Sequence, residues 1–497
     1  MNVFTLQEIV KGQYGRKIAY SNVSEITPQN VVSVVGSCIG TFNFNKPIIK
    51  YLWNYYKGDQ PIRYRKKTVR DDIKNCVVEN HAYEIVQFKV GQTYGEPVQY
   101  ISRKDDDDIN TAVDKLNDYM MDADKQSKDV KSGEWQSAVG TAFKAVQMVK
   151  NPDLPFRIVV PSPLDTFVIY NSYTEEPLLA VQELKDEENN IYRQCYSKNM
   201  QFVIKDSKLV SYSLHAYGDI PIVEYPNNWE RVSDIELVID LLDAINNFQS
   251  NRVDAVEQFV QSWVKFVNCQ IDEEQFKQMK KMGALVVKSN NGENKADVDI
   301  LTQELNQSES QIAKQDMFDN ILAISGIPKL DGNTGNGGDT QGAVELRNNW
   351  TGARLRKRIK DPIIKVSEKR LAKIVLNILR INRKGLNLGS MDFETFISNS
   401  PQDNMSVKAM TLGYLLQNGI HPKVAINRIG LFEDADKVYL QSRPYLDHLW
   451  KTVDDEVKEA ETEQQTQTYG FGTSQTGQAQ KEATGGMDEP QRNDVNE

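Results

Sequence analysis

SGIPKLDGNTGNGGDTQG, residues 325–342, separates two stretches of helical periodicity, and the reading of the chain turns on it. From Glu304 to Ile324 one helix is predicted, and from about Gly342 to Arg380 a second, longer and basic one. Pro328 stops the first helix, and the glycines between Asp331 and Asp339 tolerate positive φ and leave the backbone free. The pattern predicts a loop carried between two long rigid arms. In the second arm Leu355, Ile359, Ile363, Val366, Ile374 and Ile378 recur at helical spacing, and Arg354, Arg356, Lys357, Arg358, Lys360, Lys369, Arg370 and Lys373 crowd the other faces. Pro362 is expected to kink this helix near its middle.

A glycine-rich loop invites comparison with a phosphate cradle. A P-loop requires Lys-Ser/Thr after its last glycine and a strand before it; here Gly338 is followed by Asp339-Thr340 and a helix comes first, so nucleotide and dinucleotide sites are not predicted. The basic helix admits two readings. Its cations pair with acidic neighbours of this or another subunit, or a few of them, with Lys329 and the polar loop tip, face a polyanion. The net charge of -10 favours pairing for most of them and argues against a protein that wraps nucleic acid in positive charge.

Working outward, Ser233-Asp-Ile-Glu236 forms a capping box, and a helix is expected to run from it to about Trp263. Its apolar stripe of Ile235, Val238, Leu242 and Ile245 is interrupted by polar residues from Asn246 to Arg252, then resumes at Val256, Phe259 and Trp263. Between this helix and the one near Gln303 lies a compact insertion, Lys265 to Leu301. A strand (Phe266 to Gln270), a short helix (Glu273 to Met282), a strand (Ala284 to Val287) and a turn at Asn290-Asn-Gly292 are predicted within it. Two long helices flanking a small tip describe a stalk with a head.

Upstream, between Phe156 and Tyr225, the period changes to two, predicting strands at residues 157–160, 167–170, 178–182, 191–196, 202–204 and 222–225. Helices are predicted from Phe42 to Tyr56 and over 80–94, the latter with Ile85, Phe88 and Val90 inward. Residues 1–41 are weakly patterned and are expected to form a peripheral arm. The acidic run Asp105 to Asp108 lacks the alternation and glycine of a calcium loop, and Asp108 is expected to cap the helix Ile109 to Met121. Downstream, short helices are predicted at Met405 to Gln417 and Pro422 to Ile429, and from about Thr452 the composition predicts disorder.

At 497 residues the chain has material for about two to four domains. Its four cysteines (38, 76, 195 and 269) are scattered without CxxC spacing, so neither a disulfide framework nor a zinc site is predicted. The four histidines (81, 215, 421 and 448) stand alone in their segments, and GxSxG and HExxH are absent. No catalytic constellation, metal or cofactor is expected. With neither a leader pattern nor a run of about 18 apolar residues, secretion and membrane spanning are not predicted either.

The order of segments is similar to the portal proteins of tailed double-stranded DNA bacteriophages, in the branch with long non-contractile tails. The likeness is carried by Tyr55-Tyr-Lys-Gly-Asp-Gln-Pro-Ile62, Val90-Gly-Gln-Thr-Tyr-Gly-Glu-Pro97, and Gly218-Asp-Ile-Pro-Ile-Val-Glu-Tyr-Pro-Asn-Asn228 running into Ser233-Asp-Ile-Glu236. Ser325-Gly-Ile-Pro328 before the glycine loop and the helical pair from Leu415 to Phe432 complete it, and together they span roughly residues 40–440.

The resemblance implies a mainly helical α+β fold with an N-terminal arm (1–41), a wing (42–232), a first stem helix (233–264), a small α/β clip (265–302) and a second stem helix (303–328). A tunnel loop (329–342), a long basic wing helix with its connection (343–399), a helical crown (400–451) and a disordered tail (452–497) follow. Subunits would form a ring, typically of about twelve, at one capsid vertex, assembled in the host cytoplasm with capsid and scaffold proteins. Double-stranded DNA would pass through its channel during packaging and ejection, and the terminase, later replaced by a head-tail adaptor, would dock at the clip. The portal itself would hydrolyse nothing. A passage for moving DNA should hold it weakly, so Lys329, Asn333, Thr334, Asn336, Thr340 and Gln341 are the expected loop contacts. Lys277, Lys280, Lys281 and Lys288 give the clip a basic surface for an acidic partner. Two other classes fit parts of the pattern: a scaffold or adaptor with long helices, and an enzyme acting on nucleic acid.

Overall fold

The computed structural model describes residues 14–67, 72–104, 106–260, 263–267, 274, 297–301, 307–329, 350–382, 384–398, 405–429 and 435–446. The chain divides into two compact units, residues 1–399 and 400–497. In chain order the first holds β1 (Ala19–Ser21), α1 (Val31–Tyr56), α2 (His81–Tyr94), β2 (Gln99–Ser102), α3 (Asp107–Asp122), α4 (Lys125–Val139), β3 (Thr141–Met148), β4 (Phe156–Val159), β5 (Thr166–Asn171), β6 (Pro177–Lys185), β7 (Ile191–Tyr196), β8 (Met200–Lys205), β9 (Lys208–Leu214) and β10 (Ile222–Pro226). It continues with α5 (Ile239–Val260), β11 (Trp263–Val267), β12 (Asp297–Leu301), α6 (Gln307–Ser325), α7 (Trp350–Ile381) and β13 (Phe393–Phe396). The second unit holds α8 (Met405–Gln417), α9 (Pro422–Ile429) and α10 (Ala435–Leu446). The fold is mixed α+β.

Two cores share helix α1. Its first half buries Val31, Val34, Val35, Cys38 and Phe42 against β5, β6, β7 and β8, while its second half buries Ile48, Ile49, Leu52 and Tyr55 among the helices. Pro47, which has no N–H to donate, stands between the two halves. Phe42 stacks on Phe167 at 4.5 Å. The helix therefore starts at Val31, not Phe42: burial of a valine stripe on the sheet outweighs the poor helix propensity of β-branched residues. Residues 14–41 are accordingly not a peripheral arm. β1 joins the large sheet in parallel with β5, and Arg16 is buried.

The large sheet has the order β1-β5-β6-β7-β8-β9, antiparallel from β5 onward, and a second sheet has the order β10-β3-β4. Alternation along β5 serves two cores: Phe167 and Ile169 face α1, while Val168 and Tyr170 pack with Phe143, Ala145 and Ile222. Helices α2, α3, α4 and the second half of α7 cover the smaller sheet and complete the helical core. Asp106, not Asp108, caps α3, accepting from the N–H groups of Asp108 at 3.0 Å and Ile109 at 3.3 Å. Only a residue with extended backbone ahead of the first turn can aim a carboxylate back at those donors.

In the second unit, α8 closes on a Schellman turn: Gly419 has φ +76°, its N–H donates to Leu416 O at 3.1 Å, and Ile420 N–H donates to Leu415 O at 3.0 Å. His421 then packs on Tyr439 at 5.7 Å. The segment from 452, expected to be disordered, lies outside the described residues.

Candidate nucleic-acid interface and its support

The capping box forms as its sequence dictates and is then recruited further. Glu236 accepts from the Ser233 N–H at 3.0 Å, and the Ile235 N–H donates to Ser233 Oγ at 3.2 Å. The same hydroxyl donates to the Ala138 carbonyl at the end of α4, and Glu236, fully buried, accepts from the Gly15 N–H and from Arg16. The root of α5 is thus fixed to α4 and to the N-terminal segment.

Beyond the root, the polar interruption in α5 is a ladder. The amides of Asn75, Val77 and Glu79 donate in turn to Asp254 Oδ1 (2.8 Å), Ser250 Oγ (2.9 Å) and Asn246 Oδ1 (2.8 Å). Alternate residues of an extended chain advance about 6.8 Å and four helical residues about 6 Å, so every second amide meets every fourth side chain. Asp254 also pairs with Lys67 at 2.9 Å and Arg65 at 3.3 Å. What looks in sequence like a flaw in an apolar stripe is a row of acceptors.

Helices α5 and α6 pack together, with Arg252 Nη1 donating to Gln311 Oε1 at 3.2 Å, and the ribbon β11–β12 continues from them in antiparallel register, Trp263 opposite Leu301. The expected strand at Phe266 to Gln270 begins earlier, at Trp263. The predicted helix around Glu273 and the strand at Ala284 to Val287 fall largely outside the described residues, as do Lys277, Lys280, Lys281 and Lys288. Lys314 on α6 reaches Glu79 at 2.7 Å, and Phe318 packs on His81 at 4.6 Å, so both helices lean on the segment before α2.

The end of α6 is closed twice. Ser325-Gly-Ile-Pro328 folds as a second Schellman turn: Gly326 has φ +68°, its N–H donates to Ala323 O at 3.3 Å, and the Ile327 N–H donates to Leu322 O at 2.9 Å. Ile327 is buried beside Leu322, which supplies the apolar contact of that motif. From α7, Arg356 donates to the Ile324 carbonyl at 2.6 Å and the Ala323 carbonyl at 3.1 Å, placing a cation on the negative end of the helix dipole. Lys329 lies 2.9 Å from Asp319, and this cation holds the Asp319 carboxyl below its ordinary value. Asn333, Thr334, Asn336, Thr340 and Gln341 lie outside the described residues. The chain on either side of them, ending at Lys329 and resuming at Trp350, is joined across the gap by Arg356.

Helix α7 runs unbroken through Pro362, from Trp350 to Ile381. Several of its cations are engaged: Lys357 with Asp361 at 3.1 Å, Lys360 with Asp234 at 3.8 Å, Lys373 with Asp219 at 3.0 Å, and Arg380 with the Leu388 carbonyl at 2.6 Å. The apolar repeat divides. Ile363, Ile374 and Ile378 are buried, whereas Leu355, Ile359 and Val366 are 60%, 68% and 52% exposed on one face of the first half.

Sequence reasoning missed the charge cluster that anchors this helix. Lys144, from the middle of β3, meets Glu368 of α7 at 2.8 Å and also bonds Asp129 of α4; Lys125 bridges Asp129 and Glu368, the latter at 3.1 Å. Tyr100 of β2 donates to Glu368 at 3.1 Å, and the Lys144 ammonium lies 4.1 Å from the centre of the Tyr225 ring. Burial alone would raise the Glu368 carboxyl, but the two ammonium groups override it and hold the carboxyl at about 2. The one signal in sequence was a lysine inside the run Ala142-Phe-Lys-Ala-Val146.

Among the described residues no helix is long and apolar enough to cross a membrane, and no group of three or more His, Cys, Asp or Glu side chains is placed to hold a metal ion. No curated protein matches the chain. Among solved structures the chain is similar to one from the neck of an empty gene transfer agent particle computed with C6 symmetry, with TM-score 0.45 and 12% identity over 76% of this chain and 93% of that one. It is also similar to a chain from the neck of the native particle computed with C12 symmetry, with TM-score 0.44 and 12% identity over 71% of this chain and 89% of that one. The sequence profile described as phage portal protein, SPP1 Gp6-like, matches residues 36–468. With so much of its length matched, the chain belongs to the SPP1 Gp6-like family of phage portal proteins.

Proposed function

We propose that this portal protein is the subunit of a closed ring at one capsid vertex, through which double-stranded DNA passes during packaging and ejection. The observation that carries the reading is the joint between α6 and α7. A segment rich in glycine in the sequence connects two helices that are tied to each other by Arg356, the first closed by the turn at Gly326. Such a mounting supports a loop that touches a moving polymer while its base stays fixed. The loop contacts are Asn333, Thr334, Asn336, Thr340 and Gln341, neutral side chains that bond phosphates without the salt-dependent grip of an ion pair. Lys329 contributes less charge there than its type suggests, because Asp319 offsets it.

Ring formation is supported by Leu355, Ile359 and Val366, an exposed apolar row suited to contacts between neighbouring subunits. The basic tip at Lys277, Lys280, Lys281 and Lys288 is the docking surface for the packaging terminase and afterwards for a head-tail adaptor. The chain itself hydrolyses nothing. Negative-stain microscopy with native mass spectrometry of the purified chain tests the reading: a ring of about twelve subunits around an open channel is expected. A monomer or dimer that persists across salt and protein concentration, together with nuclease or ATPase activity, overturns it.

A further inference from the structure

A cavity of about 40 Å³ lies where the N-terminal segment, α1 and the two larger sheets of the first unit meet, and Arg16, Asn45, Thr166, Glu224 and Arg231 belong to its polar lining, with Lys17, Thr41 and Thr141 beside them. That is space for about three water molecules or one small ion. Arg16 is 5% exposed and Thr166 is 1% exposed. Arg16 spends one nitrogen, Nη2, on Glu236, while its Nε and Nη1 are buried without a partner, as is the Thr166 hydroxyl.

Two acceptors of the lining, Glu224 and Asn45, are already engaged. Glu224 accepts from Thr141, Arg231 and Tyr170. Asn45 exchanges both of its amide bonds with the backbone of Lys17. What remains open is two charged donors of Arg16 and the Thr166 hydroxyl, which can donate to an anion. A water molecule accepts two hydrogen bonds but must also place two of its own, whereas an anion only accepts. An unpaired buried donor costs the full desolvation of that group, and a charged one costs more.

We propose that this cavity binds a small inorganic anion of halide size, held by the Nε–H and Nη1–H groups of Arg16 and the hydroxyl of Thr166. The two arginines of the lining differ in the way this requires. Burial pulls the Arg16 guanidinium below its ordinary value and Glu236 offsets that only in part, whereas Glu224 overcomes burial and carries Arg231 above its own. An anion would give the two open Arg16 donors an acceptor and join the N-terminal segment to β5, stiffening the contact between β1 and β5.

Bromide is the probe. Crystals of the full chain soaked in sodium bromide are expected to show one anomalous peak in the cavity, within bonding distance of Arg16 and Thr166, that is absent from Arg16→Gln. In solution, Tm is expected to rise saturably with bromide or chloride at constant ionic strength, and not with gluconate. If Arg16→Gln does not fold, Thr166→Val keeps the test: it should raise the half-saturating halide concentration about tenfold, the loss of one hydrogen bond to a charged partner. Density without anomalous signal, a Tm that follows halide and gluconate alike, or unchanged half-saturation in Thr166→Val overturns the proposal. A bromide peak of equal height in Arg16→Gln crystals would mean an adventitious ion only and overturns it too.

Discussion

Lys144 Nζ lies 2.8 Å from Glu368 Oε1 with both side chains fully buried, so the middle of β3 is joined to the middle of α7 by charge rather than by apolar packing. Desolvating two lysines and two carboxylates is costly, and the cluster is tolerable because Lys125, Asp129 and Tyr100 satisfy what this pair leaves over. Removing one member leaves an uncompensated buried charge. Lys144→Met is expected to destabilise the first unit by about 3–5 kcal/mol, read as a lower urea midpoint. A midpoint unmoved by the substitution would show that the four groups are not coupled in solution.

The same cluster fixes an acid limb. A carboxyl held at about 2 in the folded chain and near its ordinary value of about 4.3 when unfolded contributes stability that is complete above the unfolded value. That contribution is lost as pH falls from about 4.3 towards 2. Glu368→Gln should lower stability at neutral pH and flatten the slope in that window. Thermal unfolding followed from pH 7 downward checks both.

Asp243 behaves in the opposite sense. Burial pushes its carboxyl up to about 6, although Tyr55 donates to it at 2.8 Å. Between about pH 4 and 6 the folded chain holds a proton that the unfolded chain has released, so this group's contribution to stability falls as pH rises through the window. Asp243→Asn keeps an acceptor for Tyr55, should remove that fall, and should stabilise the protein at pH 8 by about 1–3 kcal/mol.

At the loop base, Arg356→Ala uncovers two helix-end carbonyls, and Gly326→Ala forces a β-carbon into a left-handed position 2.5 Å from Arg356 side-chain atoms. Each should cost about 1–2 kcal/mol. Hydrogen exchange should quicken at Gly326 and Ile327 in both variants, while amides of the large sheet keep their protection. Equal quickening throughout the first unit would mean that the joint has no local role.

In the ladder, Ser250→Ala leaves the Val77 amide without its acceptor and should cost about 1–3 kcal/mol. Exchange at Val77 should speed up with Asn75 and Glu79 still protected. Loss of protection at all three would mean the contacts form and break as a unit.

The parts legible in sequence were those written in local chemistry. The capping box at Ser233, the turns at Gly326 and Gly419 and the alternation of β5 each state their conformation within a few residues. β3 and α4 were not legible. Thr141 to Met148 carries Ala, Lys, Gln and Met, which favour helices, and becomes a strand because β10 and β4 flank it. Lys125 to Val139 is polar, yet buries Lys125, Asp129, Ser132 and Gln136, and the partners that make this possible are more than two hundred residues away in the case of Glu368. Nor did residue type separate the buried from the exposed members of the α7 repeat, since Leu355, Ile359 and Val366 are branched aliphatic side chains like Ile363 and Ile374.

The ladder on α5 also resists sliding. A pull along the helix loads the amides of Asn75, Val77 and Glu79 together, in shear, so no single bond bears the force first. Slippage by four helical residues, about 6 Å, towards the start of α5 would bring Glu79 opposite Leu242, whose side chain accepts nothing, and strand Asp254 without its amide. A slip in that direction is therefore opposed by the whole row, and a pull along α5 is shared with the segment that precedes α2.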